Sequence, residues 1–407
     1  AFPPADLAKK SAIDKTGNLL LENNKLVIFS GQKIYGYDVS NPSAPQEKWS
    51  VQLKDRTQLV QARSYNGKIY IISNSSVSKY DPCPMDWFVA GEKTISVPCD
   101  SIYHPGVVVP VSSTYNISTI NPETGEMSSG ISFLGSYSST VYMSKNAIYV
   151  AYPYSGNTID FFFGFLSKNQ DLFPSELSNR LKKLQEYDIS QDAKMVEFKK
   201  IMEEFESFLE GDEKLRIENE MENRMNAYLT EHKRDLQKTD IVKVGLSGFS
   251  VDSIGTVPGA LLNQFSLDEY QNYLRVAVTI GQSGLFGFDE TQDNENDVYI
   301  LDSGMKIVGE VKGMGLNERI YSARFIEDKG YVVTFRQTDP FYVLDLSNPS
   351  NPQLKGELKI PGYSSYLHPI NKDKIIGVGK EGSKVKISLF DVTDSSNPRE
   401  AAKYTLD

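Results

Sequence analysis

The chain has 407 residues, of which 40% are hydrophobic and 24% charged, and a formal net charge of −10. That composition excludes a disordered or fibrous chain, and the acidic balance excludes the simplest nucleic-acid readings, because phosphate binding needs a basic surface. No apolar run approaches the roughly 18–20 residues required to span a membrane, so neither nucleic acid nor a membrane span is expected.

The chain opens Ala-Phe-Pro-Pro, with neither an initiator Met nor a signal peptide, as a processed secreted protein would. Leu19–Leu21, Lys25–Phe29 and Lys33–Asp38 alternate as three strands, and the third runs into the polar turn of YDVSNPSAPQ, from Tyr37. Asn74-Ser-Ser and Asn116-Ile-Ser match the short glycosylation acceptor pattern. Cys83 (in DPCP) and Cys99 (in VPCD) flank an irregular Pro-rich segment without a core of its own. A disulfide between them is expected; a loop of that size contributes about 3 kcal/mol in the chain-entropy model and points to an oxidising compartment.

Ile159–Leu166 (IDFFFGFL) is expected to be a buried strand. From Ser167 to Asp240 the pattern changes: 31 of 74 residues are charged and the apolar spacing becomes helical. Phe198, Ile201, Met202, Phe205, Phe208 and Leu209 share one helical face. Ile217, Met221, Met225, Tyr228 and Leu229 share another, and Glu210-Gly211-Asp212 supplies the turn between the two runs. Strand character resumes at Ile241–Leu246. Residues 167–240 therefore read as an inserted α-helical hairpin whose Phe- and Met-rich faces exceed what two helices need to zip together.

The C-terminal third repeats one plan. Lys306–Lys312, Arg319–Ile326, Tyr331–Arg336 and Phe341–Asp345 are four short strands, followed by Leu354–Ile360, Ser364–His368, Lys374–Val378 and Val385–Asp391. LDLSNPSNPQ from Leu344 and FDVTDSSNPR from Phe390 repeat the first Asp-and-Pro turn, with weaker echoes at Lys79, Thr119 and Tyr299. Most landmarks lie about 40–46 residues apart, the length of a four-stranded propeller blade. The expected fold is all-β: a β-propeller of about seven four-stranded blades with the helical hairpin inserted. Residues 1–166 and 241–407 form one ring, with Glu400–Leu406 completing the three-stranded first blade.

The runs VPGALLNQFSLDEYQNYLRVAVTIG from Val257 and ERIYSARFIEDKGYVVTFRQTDPFYVLDLSNPSNPQLKGELKIPGYSSYLHPI from Glu318, with VPCDSIYHP near Cys99, are long and specific. Through them the chain resembles archaeal and bacterial secreted proteins that carry a β-propeller distantly related to WD40 repeats. The resemblance implies the fold and an exported location, secreted or at the cell surface; it implies no reaction.

Chemistry-bearing groups are sparse. His104 and His368 sit in YHP and LHP, without the spacing that would bring further metal ligands; His232 lies on the charged helix. SARF and TFRQTDP put Arg324, Arg336 and Asp339 on neighbouring strands, where a bidentate Arg–carboxylate pair can form. With His368 they are the candidate ligand-binding residues. Asp268 and Glu269 are adjacent and face opposite sides of a strand. DETQDNEND, from Asp289, lacks the order of a calcium loop and reads as a polar hairpin loop. No catalytic residue, metal or cofactor is expected. The expected function is an extracellular or cell-surface binding or scaffold module for an unknown protein or cell-surface ligand. The alternatives are an exported hydrolase or lyase with a site in the central channel, and a sensor binding a small anion near the axis.

Overall fold

Each strand pairs antiparallel with the next along most of the chain, because alternating apolar residues are separated by turns too short for any other connection. The computed structural model describes residues 8–77, 85–90, 93–104, 111–128, 130–136, 139–246, 248–281, 294–335 and 339–406. Two compact units are present: residues 1–152 with 241–255, and residues 153–240 with 256–407.

The first unit begins with β1 (Asn18–Glu22), β2 (Lys25–Ser30), β3 (Lys33–Asp38) and β4 (Gln46–Leu53). Next come β5 (Thr57–Tyr65), β6 (Lys68–Ser76), β7 (Met85–Ala90), β8 (Lys93–Val97), β9 (Ile102–Tyr103), β10 (Ser113–Ile120) and β11 (Ile131–Gly135). The first sheet has the order β1-β2-β3-β4-β7-β8 and the second β5-β6-β10-β11-β9, with β9 parallel to β11. The third contains β12 (Thr140–Met143), β13 (Ala147–Ser155), β14 (Gln237–Gly245) and β15 (Ser250–Pro258), in that order. Val27, Ile34, Val51, Ile69 and Ile71 belong to one buried core; Ile72, Tyr115, Ile117, Val150 and Val242 belong to a second.

The second unit holds the insertion, α1 (Thr158–Lys168), α2 (Ser175–Glu186), α3 (Gln191–Ser207) and α4 (Gly211–Leu236). Its three sheets are β16 (Leu267–Tyr270), β17 (Tyr273–Ile280), β18 (Glu295–Leu301) and β19 (Ile307–Met314); β20 (Arg319–Ile326), β21 (Lys329–Phe335), β22 (Asp339–Asp345) and β23 (Gln353–Ile360); and β24 (Tyr363–Asn371), β25 (Lys374–Glu381), β26 (Lys384–Asp391) and β27 (Arg399–Leu406). In each the strands stand in chain order. Sheets of this size bury both faces only by stacking on neighbours, and repetition around a centre is the propeller solution. The fold is a β-propeller with a helical insertion.

The structure corrects three expectations. Six sheets stand among the described residues, in keeping with a propeller of about seven blades, and the β7–β8 hairpin extends the open edge of β4. An isolated hairpin is marginal in water, and an unpaired edge offers it partners. β27 does not complete the first blade. It pairs with β26, and β4 already supplies the fourth strand of the first sheet. The Asp-and-Pro turn thus separates the third and fourth strands of a blade, whereas the sequence reading placed it between blades. Finally, Ile159–Leu166 is α1 rather than a strand. The Asn157 side chain caps its first turn by accepting from the Asp160 amide, and Lys168 lies in its last. The helical segment therefore runs from Thr158 to Leu236, wider than 167–240, and holds four helices. The surplus apolar surface expected of two helices is buried by the other two: Phe161, Phe162, Phe165, Leu177 and Leu181 join Phe198, Phe205, Ile217 and Leu229 in one core. Phe208 does not; it is 83% exposed just past the end of α3.

The repeated turn is built by its side chains. Asp38, Asp345 and Asp391 each accept the amide two residues on, at 2.9, 3.0 and 3.2 Å. Asn41, Asn348 and Asp394 do the same for Ser43, Ser350 and Ser396, at 3.1, 3.1 and 3.0 Å. These are consecutive Asx-turns, which fold the chain back before the Pro. Each turn is pinned again from outside: the Leu346 amide donates to the Asp328 carbonyl at 2.7 Å, and the Val392 amide to that of Asp373 at 2.9 Å. The folded turn lies against the outer strand of the preceding sheet. A Cβ on Gly309 would stand 2.1 Å from the Pro349 carbonyl oxygen, and one on Gly356 2.3 Å from that of Ser395. In the first unit Trp49 occupies the position equivalent to Gly356. Its indole donates to the Pro122 carbonyl at 3.0 Å and covers Gly125.

Two outcomes follow. Gly356→Val is expected to destabilise the protein by about 1–3 kcal/mol, since overpacking here meets main chain rather than a mobile side chain; the urea midpoint measures it. The Asp391 carboxyl is held well below the usual range by the Lys374 ammonium, together with Thr393 and Arg399. Its folded pKa lies below the unfolded value of about 3.9. The stabilisation is therefore complete above that value and is lost as pH falls through the folded pKa. Asp391→Asn should accordingly unfold at lower urea than the parent at pH 6, and the gap should narrow below about pH 4.

Candidate functional site

Two of the four residues singled out from sequence share one surface of the second unit. β20 and β24 are edge strands of their own sheets and lie in contact. A single 3₁₀ turn, Gln264–Ser266, packs on β20. It is fixed by Asn263, whose side-chain oxygen accepts the Phe265 amide at 2.9 Å. The turn presents Phe265 to Arg324, whose guanidinium carbon lies 4.8 Å from the ring centroid, within cation–π range. The edge of the same ring meets Tyr366 at 5.8 Å, and the Tyr366 hydroxyl lies 3.1 Å from His368 Nδ1. Tyr366 and His368 are exposed and lie between two irregularities in the β24–β25 register, at Ser364/Tyr366 and Pro369/Asn371. Bulges re-aim side chains at edges. The result is a strip, Arg324–Phe265–Tyr366–His368, half-buried at its first two residues and exposed at its last two.

Arg336 lies outside the described residues, as does the side chain of Asp339, whose backbone opens β22; a pair between them falls outside what is described. A second group gathers beside the strip's strands. Tyr321 and Phe335 each stand 4.7 Å from Tyr363, and the Arg319 guanidinium lies over Tyr321 at 5.3 Å.

Cys83 also lies outside the described residues. Asn74 and Asn116 are 7% and 1% exposed within β6 and β10, so neither acceptor sequence is accessible in the folded sheet. His232 packs on Tyr228 with ring centroids 4.2 Å apart, and Lys168 lies 3.0 Å from its Nε2. Asp268 is paired with Arg275 rather than with Glu269. No helix among the described residues is long and apolar enough to cross a membrane.

A bidentate Arg–carboxylate pair forms between residues whose sequence separation hid it. The tail of DETQDNEND is no loop: Glu295, Asn296 and Asp297 are buried in β18. Arg234, in the last turn of α4, donates from Nε to Asp297 Oδ2 at 2.8 Å and from Nη2 to Oδ1 at 3.1 Å. Tyr299 and the Gly313 amide also donate to Asp297, at 2.7 and 2.9 Å. Lys233 stands 3.1 Å from Glu295. Burial works against the Arg234 charge, yet Asp297 and Glu295 hold its pKa above the usual value; burial and the Asp297 carboxylate push the Tyr299 phenol up. The only local signal was Glu295 and Asp297 at alternate positions, on one face of a strand. Arg234→Met leaves a fully buried carboxylate without its counter-charge. Loss of about 3 kcal/mol is expected, the low end for a broken buried pair because Arg234 is partly exposed. Urea unfolding measures it, and limited proteolysis should find cleavage first in 158–236.

Residues 5–407 match the family model described as a beta propeller domain. An uncharacterised protein from Archaeoglobus fulgidus is 43% identical over 407 residues, covering 100% of this chain and 63% of that protein. Another, from Methanocaldococcus jannaschii, is 39% identical over 413 residues, covering 100% of this chain and 64% of its own length. The chain thus spans under two thirds of the curated relatives it matches. Among solved structures, a hypothetical selenium-binding protein from Sulfolobus tokodaii aligns at TM-score 0.41 and 10% identity, over 96% of this chain and 77% of that one. A Synechocystis apocarotenoid oxygenase mutant aligns at 0.38 and 9%, over 96% and 71%. Likenesses that distant carry no argument about chemistry. On the match across nearly its whole length, the chain belongs to the beta propeller domain family.

Proposed function

We propose that this chain is an extracellular or cell-surface binding module that engages a protein partner through the Arg324–Phe265–Tyr366–His368 strip. The observation that carries the reading is an arginine stacked on an aromatic ring that in turn meets an exposed tyrosine, the arginine and tyrosine mounted on edge strands of packed sheets and the ring on a 3₁₀ turn. Arg and Tyr dominate the energetic centres of protein interfaces because each brings large, rigid area with polar groups attached. A rigid scaffold under an exposed surface is the usual setting for recognition. Export rests on the proposed Cys83–Cys99 disulfide, a bond that persists in oxidising compartments; no free cysteine stands among the described residues. The whole protein's partners belong to the same proposal.

A photo-crosslinking residue at Tyr366 tests it. Incubated with a cell-envelope preparation and irradiated, this variant should give a discrete crosslinked protein that Arg324→Glu abolishes. The same probe at Tyr404, which is 63% exposed on β27, should give none. Equal labelling from both positions, or a product indifferent to Arg324→Glu, would remove the strip from consideration.

A further inference from the structure

A cleft of about 200 Å³ lies between the sheet of β16–β19 and the sheet of β20–β23, apart from the strip above. One wall comes from a single hairpin. Gln271 and Asn272 join β16 to β17 with φ of +51° and +66°, both left-handed, as a two-residue hairpin turn of matching twist requires. The turn sets Tyr270 directly opposite Tyr273, and two residues further Asp268 opposite Arg275. All four share one face of the hairpin, since alternate residues point the same way. The opposite wall is supplied by Asp328, in the β20–β21 turn, and Ser347, in the Asp-and-Pro turn after β22.

The charges in this cleft are not balanced. Arg275 is 3% exposed, and each of its three nitrogens is engaged: Nε and Nη2 donate to Asp268, and Nη1 donates to the Glu327 carbonyl. Its guanidinium carbon lies 5.1 Å from each of the Tyr270 and Phe325 rings. Arg275 and Asp268 are thus paired, so their charges offset within the hairpin. The Asp328 carboxylate, by contrast, takes part in no hydrogen bond or ion pair among the described residues, although its backbone carbonyl is engaged by Leu346. An uncommitted carboxylate lining the same cleft as two tyrosines attracts a cation by direct charge, and the aromatic wall gives an alkyl stem an apolar surface.

We infer that the cleft binds an organic cation, a primary ammonium on a short alkyl stem. The ammonium sits at Asp328, the stem lies along Tyr270 and Tyr273, and Ser347 borders it. Both a free amine and a partner's lysine side chain have this chemistry.

Titration calorimetry of the intact chain with n-butylammonium chloride provides the test, with 1-butanol, butyrate and glucose as comparisons. Saturable binding in roughly the millimolar range is expected for so small a ligand, with no binding of the other three. Asp328→Asn, nearly isosteric, should weaken it at least tenfold while its melting curve matches the parent's. Glu310→Gln, at an exposed carboxylate on β19, should leave it unchanged. A second arm compares N-acetyl-lysine methylamide with butylammonium: tighter binding of the former assigns the cleft to a peptide-borne lysine, equal or weaker binding to a free amine. No saturation by 100 mM butylammonium, equal binding of butanol, preference for butyrate or glucose, or full affinity in Asp328→Asn would each overturn the inference. The comparison of butylammonium with butanol on the parent decides the matter even if the Asp328 variant fails to fold.

Discussion

A four-stranded sheet has two faces to bury, so how closely one blade can lie against the next limits everything else in this molecule. In the second unit that approach is set by a contact between main chain and main chain. The turn after β22 rests on Gly309, and the turn after β26 rests on Gly356, at distances that leave no room for a Cβ. Because the turn carries its own Asx hydrogen bonds, it arrives as a preformed wedge, and its fit does not depend on side-chain rotamers. The apolar faces then meet at packing distance: Val298, Ile300, Ala323 and Val332 bury together in one seam, and Tyr331, Val343, Ile375 and Phe390 in the next. The wedge and the hydrophobic face act in series, since a turn held off by even one methyl group would open a gap along the whole seam.

The same logic explains what could be read from the sequence. The turn is local: its Asp, Asn, Ser and Pro act on amides two residues away, so it is visible in any short window, and its spacing exposes the repeat. Strand bounds such as Lys33–Asp38 and Arg319–Ile326 were legible for the same reason, as alternation is also local. The phase of the blade was not, because nothing in the turn itself says whether the following strand pairs backward or starts a new sheet. That depends on the glycine of the preceding sheet, some forty residues earlier. The place of the β7–β8 hairpin was not legible for a related reason: it lengthens an existing sheet by taking an open edge, and edge availability is a tertiary fact.

The helical insertion was legible where it is amphipathic and illegible where it is not. α3 and α4 have polar outer faces, so their period shows. The run Phe161–Leu166 in α1 is apolar all round because it is covered by α4 on one side and by α2 and α3 on the others. A continuous run of six residues without a polar side chain has no period, and only the flanking Asn157, Asp160 and Lys168 marked it as a helix. Likewise, the candidate site residues Arg324 and His368 were found as isolated chemistry. What joins them is Phe265, in a turn more than fifty residues upstream of Arg324, and it looked like an ordinary core aromatic.

Three arginines of the second unit show how context decides what a guanidinium does. At Arg234 two carboxylates and a phenol converge on a buried pair, and such an arrangement costs desolvation on both sides. Its value lies in direction: a planar fork against a fixed carboxylate allows one orientation of the end of α4, where a purely apolar contact would allow several. At Arg275 a cross-strand carboxylate and the Glu327 carbonyl engage all three nitrogens while two rings flank the guanidinium, so its charge is offset by Asp268 across one hairpin. Arg324 differs again: its guanidinium lies over the Phe265 ring and makes no ion pair among the described residues, and it is on that stacking, not on a satisfied charge pair, that the proposed binding role rests.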